Sequence, residues 1–289
     1  MISEEKIKTR FEEKLGNKIS KIISLSGGCI SDAYKITTKD GSNFFLKYNP
    51  SVSVDMFVKE ANGLKELSKS KTIRIPEVLG FDTDYILLQY IATGSKKKNF
   101  FENFGQNFAG MHKFTSENFG FYEDNYIGSN PQKNVPDEEE KKDWVSFYFN
   151  KRILFQLKLA EKLGNSTEEL RSGISKLGNK ISTIISTEER PSLLHGDLWG
   201  GNYMVDESGH AVLIDPAVYY GNREADLGMT KLFGGFSSDF YSAYIEEFPL
   251  EDGYEYRENI YKLYHVLNHV NLFGGGYYSQ AMSLIKFYI

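Results

Sequence analysis

The chain has 289 residues, 40% of them hydrophobic and 25% charged, with a formal net charge of −5 and one cysteine. This length fits two lobes around a cleft better than one core, and the acidic balance argues against nucleic acid or an anionic membrane as a partner. Residues 1–15 carry charges where a signal peptide needs an apolar stretch, and no apolar run is long enough to span a bilayer. A single cysteine excludes an intrachain disulfide, so we expect a cytoplasmic protein.

The first third of the chain predicts a small antiparallel sheet with one main helix. Strands are indicated by alternating apolar residues, and Asp40-Gly41 between the second and third strands is typical of a two-residue hairpin turn. Helices are indicated by apolar residues at three- or four-residue steps. We predict helices over residues 3–15 and 54–67, and strands over residues 19–24, 33–38, 43–48, 77–81 and 85–91.

Beyond the fifth strand the sequence becomes mainly helical. The polar run ATGSKKK after residue 91 predicts a flexible linker. We therefore expect an α+β protein of two lobes, with an N-lobe over residues 1–91 and a larger C-lobe over residues 92–289. Residues 116–140 show no helical or strand period, which predicts a functional or disordered loop. Further helices are predicted after residue 100 and over residues 141–163, 167–186, 224–233, 238–248 and 254–273.

The segment LLHGDLWGGNYMVDESGHAVLIDPA, at residues 193–217, carries the strongest functional signal. Asp197 is followed five positions later by Asn202, and the predicted strand VLID ends in Asp215, which is the pattern of a kinase catalytic loop and its metal-binding aspartate. Singly, the HGD and IDP triplets also occur as ordinary loop entries and strand ends. Together they predict an ATP-dependent phosphotransferase in which Asp197 accepts the proton of the attacking hydroxyl and Asn202 and Asp215 hold Mg²⁺.

Charged and glycine residues of the predicted N-lobe lie where a kinase binds the phosphates of ATP. Lys47 ends the third strand, where its ammonium could reach the α- and β-phosphates of ATP, and Glu60 on the next helix could hold it there. The alternative is a solvated lysine and a surface glutamate. Gly27 and Gly28 lie between the first two strands, where backbone N–H groups could cradle phosphate, although a plain hairpin turn would use the same residues.

The end of the fifth strand is the predicted hinge between the lobes. Backbone groups of Gln89, Tyr90 and Ile91 are expected to bind adenine, because they directly precede the linker.

Several residues beyond the predicted base have more than one possible role. His195 precedes Asp197 by two positions and is expected to order the catalytic loop rather than to move protons. Trp199 could stack on the apolar face of a sugar while its N–H meets a hydroxyl, or it could fill the core. Tyr277 and Tyr278 could line the substrate cleft or pack.

The roles of two further groups of residues stay open. Arg223, Glu224 and Asp226 could bind substrate or form an ion-pair network that supports the catalytic loop. His265 and His269 lie four residues apart on a predicted helix without a carboxylate at ligand spacing, so packing or substrate contact is expected rather than metal binding.

The runs HGDLWGGN, IDPAVYYGNREADLGMTKLFGGF and YKLYHVLNHVNLFGGGY resemble the fructosamine kinase (ketosamine 3-kinase) family, a branch of the aminoglycoside-phosphotransferase-like kinases. The similarity extends over nearly the whole chain and includes SGGCI at residues 26–30. It implies a protein-kinase-like fold and ATP-dependent phosphorylation of carbon 3 of a ketosamine, such as ribulosamine, erythrulosamine or fructosamine, free or on a protein. The resemblance also makes Cys29 a candidate redox site, with a possible redox-linked dimer.

Two alternatives remain at the level of the sequence. HGD-x-x-x-x-N fits kinases of aminoglycosides, choline or homoserine equally well, although the DPA to GGF run argues against them. A kinase fold without catalysis could also serve as a binding module. The presence of every charged and amide residue of the predicted catalytic set disfavours that reading.

Overall fold

The structure is a computed structural model that describes residues 2–25 and 31–289. Gly27, Gly28 and Cys29, with their predicted phosphate and redox roles, lie outside the described residues. The N-terminal elements are α1 (Glu4–Leu15), β1 (Ile19–Leu25), β2 (Asp32–Thr38), β3 (Asn43–Tyr48), α2 (Met56–Ser68), β4 (Val78–Phe81) and β5 (Tyr85–Gln89).

These five strands form one antiparallel sheet in the order β1-β2-β3-β5-β4, with a helix on each face. Successive side chains of a strand point to opposite faces, and β5 shows the result. Tyr85 and Leu87 pack with α1, whereas Ile86 and Leu88 pack with α2. In this order β3, which carries Lys47, pairs with β2 on one edge and with β5 on the other.

The remainder of the described chain is mainly helical. Its helices are α3 (Phe100–His112), α4 (Trp144–Tyr148), a π-helical segment (Phe149–Leu154), α5 (Phe155–Leu163), α6 (Glu168–Gly178), α7 (Ile181–Ile185), α8 (Glu224–Leu232), α9 (Ser238–Glu247), α10 (Tyr254–Phe273) and α11 (Tyr277–Lys286). Its strands are β6 (Asn125–Ile127), β7 (Asn130–Gln132), β8 (Ser192–Leu194), β9 (Tyr203–Val205), β10 (Ala211–Leu213) and β11 (Tyr219–Gly221). The pairs β8 with β11 and β9 with β10 bracket residues 195–202 and 214–218.

The structure corrects several predicted elements. The helix predicted over residues 141–163 contains the π-helical segment, and the helix predicted over residues 167–186 is divided into α6 and α7. The stretch 116–140 contains the paired strands β6 and β7, and α11 is absent from the predicted elements. The strand predicted over residues 85–91 ends at Gln89.

The connection from β5 to α3 contains the predicted lobe boundary at residues 91 and 92, which stays a prediction. Gly94 N donates to Val205 O over 3.0 Å, so this connection pairs with β9. Among residues 2–25 and 31–289, no helix combines the length and apolar character that a membrane span requires.

Candidate active site

Three of the predicted residues, distant in sequence, meet at one point. Lys47 Nζ lies 2.8 Å from Glu60 Oε1 and also contacts Asp215 Oδ1, so β3, α2 and the segment after β10 are joined by one ammonium. The side chains of Lys47 and Glu60 are largely withdrawn from solvent, whereas that of Asp215 remains half-exposed. The Lys47 to Glu60 pair therefore has the geometry predicted for a phosphate-facing lysine.

The charged groups in this cluster shift one another's pKa values. Burial opposes the ammonium of Lys47, but the carboxylates of Asp215 and Glu60 outweigh it and raise its pKa above the ordinary value. The pKa of Glu60 is raised by burial, and the nearby charge of Asp215 adds to the effect against the opposing pull of Lys47. Lys47 thus remains cationic and can act as a fixed positive charge.

The catalytic-loop residues Asp197 and Asn202 are joined by direct hydrogen bonds. Asn202 Nδ2 donates to the Asp197 carbonyl over 2.8 Å and to Asp197 Oδ2 over 3.2 Å. Burial, and then the charge of Asp215, raise the pKa of Asp197 well above its ordinary value, while the Asn202 amide works in the opposite direction. Because the amide nitrogen faces Asp197, the Asn202 oxygen is directed elsewhere, as a metal ligand would require.

Asp215 lies beyond the end of its strand rather than within it, since β10 ends at Leu213; the prediction that the strand reaches Asp215 is wrong. Its backbone has φ +54°, a left-handed conformation that costs a non-glycine residue on the order of 1 kcal/mol and that clusters at functional sites. The next turn is held by Ala217 N, which donates to His195 O over 2.9 Å. This hydrogen bond therefore helps to fix the backbone that carries the Asp215 carboxylate.

Gly196 is required by the same close packing. It has φ +82°, and a Cβ atom there would lie 2.0 Å from Ala217 O. A residue with a side chain would therefore clash with the backbone at this position.

The donor set suits Mg²⁺. Within the described residues, no group of three or more His, Cys, Asp or Glu side chains could form a metal cage. Asp215 and Asn202 instead offer one carboxylate and one amide oxygen, and Mg²⁺ typically takes one or two protein ligands and completes its shell with phosphate and water. The residues present therefore fit a nucleotide-bound Mg²⁺.

A buried carboxylate supports the backbone of the loop. Asp226 accepts hydrogen bonds from His195 N over 2.7 Å and from Gly196 N over 2.8 Å. It also faces His112 Nε2 at 3.2 Å, and His112 Nδ1 lies 2.6 Å from Tyr244 Oη. Asp226 therefore buttresses the loop, and of the two readings open at the level of the sequence the structure favours support over substrate binding.

Comparison with known proteins decides the family. The fructosamine kinase family model matches residues 3–289. The chain belongs to the fructosamine kinase family. As a member it is an ATP-dependent phosphotransferase that acts on an alcohol group, and the predicted family, α+β class and ketosamine-type kinase are confirmed at this level.

Relatives of known sequence or structure agree with this assignment. The chloroplastic protein-ribulosamine 3-kinase of Arabidopsis thaliana is 42% identical over 284 residues, covering 96% of this chain and 85% of the relative. A crystal structure from Thermobifida fusca, described as a fructosamine-3-kinase, has a TM-score of 0.88 at 31% identity and covers 97% of each chain. The ADP-bound aminoglycoside phosphotransferase APH(2'')-Ib covers 99% of this chain and 100% of its own, with a TM-score of 0.67 at 14% identity, a likeness of fold.

In this member of the fructosamine kinase family, the contacts of His195 agree with the predicted scaffold role. Its Nε2 lies 3.0 Å from Ile214 O, and its Nδ1 lies 3.3 Å from Asp197 N, so the ring bridges the base and the segment before Asp215. Burial lowers the pKa of His195, which favours the neutral ring. The roles of individual site residues nevertheless stay predictions.

Arg223 and Glu224 form ion pairs with residues outside the catalytic loop. Arg223 Nη2 lies 2.5 Å from Glu189 Oε1, and its Nη1 donates to Phe248 O over 2.6 Å. Glu224 Oε2 accepts from Arg257 Nε over 2.8 Å. Both residues therefore join elements of the helical region, and this engagement favours the structural reading over substrate binding.

Trp199 lies at the surface beside the base. Its indole folds back over Gly201, where a Cβ atom would come within 2.4 Å of the ring. The absence of a side chain at Gly201 therefore lets the indole pack against the catalytic loop, while part of the ring stays exposed to solvent.

The predicted hinge residues are partly engaged. Gln89 N donates to Glu77 O over 2.8 Å, and Lys35 Nζ lies 4.3 Å from the centre of the Tyr90 ring. Ile91 is buried. An adenine ring could therefore use the carbonyl of Gln89 or the backbone of Tyr90 and Ile91, and this contact stays a prediction.

Proposed function

We propose that this protein transfers the γ-phosphoryl group of ATP to the carbon-3 hydroxyl of a ketosamine. The observation that carries the proposal is the meeting of Lys47, Glu60 and Asp215 beside Asp197 and Asn202 in a member of the fructosamine kinase family. Together these side chains supply an ammonium, three carboxylates and an amide, which supports phosphoryl transfer to an alcohol.

The nucleotide end of the site is assigned to four residues. Lys47, held by Glu60, faces the α- and β-phosphates. Asp215 and Asn202 are the residues that would hold Mg²⁺, which neutralises charge on the phosphate oxygens. The left-handed backbone of Asp215 and its contact with Lys47 support this assignment.

The acceptor end is assigned to Asp197 and Trp199. The oxygen of the acceptor hydroxyl forms a bond to the γ-phosphorus, the bond from that phosphorus to the β–γ bridging oxygen breaks, and ADP leaves. The hydroxyl proton passes to the Asp197 carboxylate, which Asn202 orients. The exposed part of the Trp199 indole is suited to the apolar face of the sugar.

A ketosamine substrate is supported by family membership and by the Arabidopsis relative, whose name specifies protein-bound ribulosamine.

We also infer a cytoplasmic location, because one cysteine in 289 residues is typical of a reducing compartment.

A substrate panel tests the proposal. Wild-type protein and Asp197→Asn are given MgATP with ribulosamine, erythrulosamine or fructosamine on lysine, and separately with an aminoglycoside, choline or homoserine. We expect ATP turnover with at least one ketosamine, a product phosphorylated on carbon 3 by NMR, and a loss of ~10²–10⁴ in rate for Asp197→Asn. Turnover only with a non-ketosamine acceptor, or undiminished turnover in Asp197→Asn, would overturn it.

A further inference from the structure

A row of aromatic rings leads away from the proposed acceptor site. The ring centres of Trp199 and Phe233 lie 6.4 Å apart, and those of Phe233 and His269 lie 4.8 Å apart. From His269 the row divides, with Tyr277 at 4.9 Å and Phe273 at 5.5 Å. We call these five residues the aromatic row.

The aromatic row is continuous with the catalytic loop but is built by other elements. Phe233 directly follows α8, His269 and Phe273 lie in the last turns of α10, and Tyr277 begins α11. The segment after Phe233 is fixed to β9 by Tyr203 Oη, which donates to Gly235 O over 3.1 Å.

Three residues of the row are exposed, although large aromatic side chains are usually buried, and His269 and Tyr277 are half-buried. Trp199 is 41% exposed, Phe233 39% and Phe273 67%. Rings that contact one another and still face solvent form a preassembled apolar surface, and such surfaces are typical of binding sites.

The chain segments that carry the other four residues, Phe233, His269, Phe273 and Tyr277, have no formal charge. A quarter of all residues are charged, yet residues 232–238 and 263–285 contain no Asp, Glu, Lys or Arg. His269 Nδ1 lies 2.8 Å from His265 O. Burial lowers the pKa of His269, and burial together with the neighbouring His269 lowers the pKa of His265 to about 3, so both rings are neutral at pH 7. The surface thus suits methylene groups and an uncharged peptide backbone, and its ring faces can accept an ammonium.

We propose that the aromatic row contacts the carrier of the ketosamine, that is, the lysine side chain and peptide beyond the amine nitrogen. The inference rests on the proposed function. Four bonds separate the carbon-3 oxygen from the amine nitrogen, so the nitrogen lies within about 5 Å of the reacting oxygen. The sugar therefore occupies little more than the Trp199 face.

The remaining rings match the part of the substrate beyond the nitrogen. A lysine side chain extends about 6 Å from nitrogen to Cα, and a peptide continues beyond it. Phe233 and His269 would cover the methylene groups, and Phe273 and Tyr277 would contact the peptide. A free sugar or a ketosamine on a very small amine would leave these outer rings without a role.

The experiment compares two substrates that share the sugar. One is ribulosamine on the lysine of a short uncharged peptide, and the other is ribulosamine on methylamine. Phe273→Ala and Tyr277→Ala are measured with both, beside Tyr277→Phe, which keeps the ring. Phe287→Ala is the matched control, because Phe287 is 53% exposed and packs on Tyr256 and Tyr288 away from the row.

We expect the ratio of kcat/KM for the peptide to kcat/KM for the methylamine compound to fall about tenfold in Phe273→Ala and Tyr277→Ala. The ratio should stay at the wild-type value in Tyr277→Phe and Phe287→Ala. An equal loss with both substrates, or the same fall in Phe287→Ala, would overturn the carrier role.

Two other outcomes can be distinguished from a failure of the carrier role alone. Failure of wild-type protein to phosphorylate either compound would contradict the proposed function itself, not only the carrier surface. If sedimentation shows a wild-type dimer that Phe273→Ala dissociates, the row is an interface between two copies and the inference is overturned.

Discussion

Asp226 and His112 form a buried polar pair, with Asp226 Oδ2 lying 3.2 Å from His112 Nε2. The same carboxylate accepts from the backbone N–H groups of His195 and Gly196. Through this pair the core helices α3 and α8 set the backbone of the loop that carries Asp197.

Replacing Asp226 with Asn should destabilise the protein and slow catalysis together. The amide keeps the size but has one acceptor oxygen instead of two, so its N–H₂ group faces one of the two backbone donors. Leaving a buried donor unpaired costs about 1–3 kcal/mol. We expect a loss of this order in the free energy of unfolding and a lower kcat with KM for ATP little changed, measured by urea denaturation and steady-state kinetics. Wild-type stability and kcat would contradict the buttress role.

The His112 ring should make stability depend on pH. Burial lowers its pKa in the folded protein, although Asp226 opposes the effect. A folded pKa below the unfolded value near 6.5 means that the unfolded state binds the proton first. Stability from His112 is therefore present above the unfolded pKa and is lost as pH falls below it, by at most about 1.4 kcal/mol per pH unit.

The variant His112→Gln isolates this contribution, because other buried histidines such as His195 titrate in both proteins. Urea unfolding between pH 7.5 and 5 should give a shallower loss of stability in the variant than in the wild type. Parallel pH profiles would show that His112 does not supply the difference.

The sequence predicts the parts of the site that local spacing determines. Asp197 and Asn202 are five residues apart, and their contact follows from one loop. The ion pair of Lys47 and Glu60 is also within reach of sequence reasoning, because a strand, a short connection and one helix fix their relative positions. Hydrophobic period and turn residues suffice for such elements.

Other parts depend on contacts that have no period. The pair of His112 and Asp226 joins residues 114 positions apart. The stretch 116–140 is shaped by buried amides, since Asn125 Nδ2 donates to Val218 O and Gln132 Nε2 donates to Ala217 O. A π-helical segment inserts extra residues into a turn without altering the apolar pattern enough to reveal it. These features become visible only when the chain is folded.

The metal roles predict a graded response to Mg²⁺. Asp215→Ala removes a charged ligand and should abolish Mg²⁺-dependent nucleotide binding. Asn202→Ala removes a neutral ligand and should only weaken it. Titration of ADP binding against Mg²⁺ by calorimetry measures both, with Asp197→Asn as a control that changes the site without removing a proposed ligand. Unaltered Mg²⁺ dependence in both alanine variants would reject the assignment.

Helix α2, which carries Glu60, is attached to the loop before β6. Glu123 accepts from Lys59 Nζ over 2.8 Å and from Asn62 Nδ2 over 2.9 Å. Tyr126 Oη, at the centre of β6, donates to Asp55 Oδ1 over 2.6 Å at the start of the helix. The loop therefore helps to set the distance between Glu60 and Lys47.

Glu123→Ala removes both contacts to Lys59 and Asn62 without touching the nucleotide site. Partly buried ion pairs of this kind contribute about 1 kcal/mol. If the loss lets α2 move, Glu60 will hold Lys47 less often, and KM for ATP should rise about three- to tenfold while kcat changes less. The matched control is Glu117→Ala, an exposed glutamate of the same loop whose side chain is outside this contact. Equal KM values in the two variants would show that the position of α2 does not depend on Glu123.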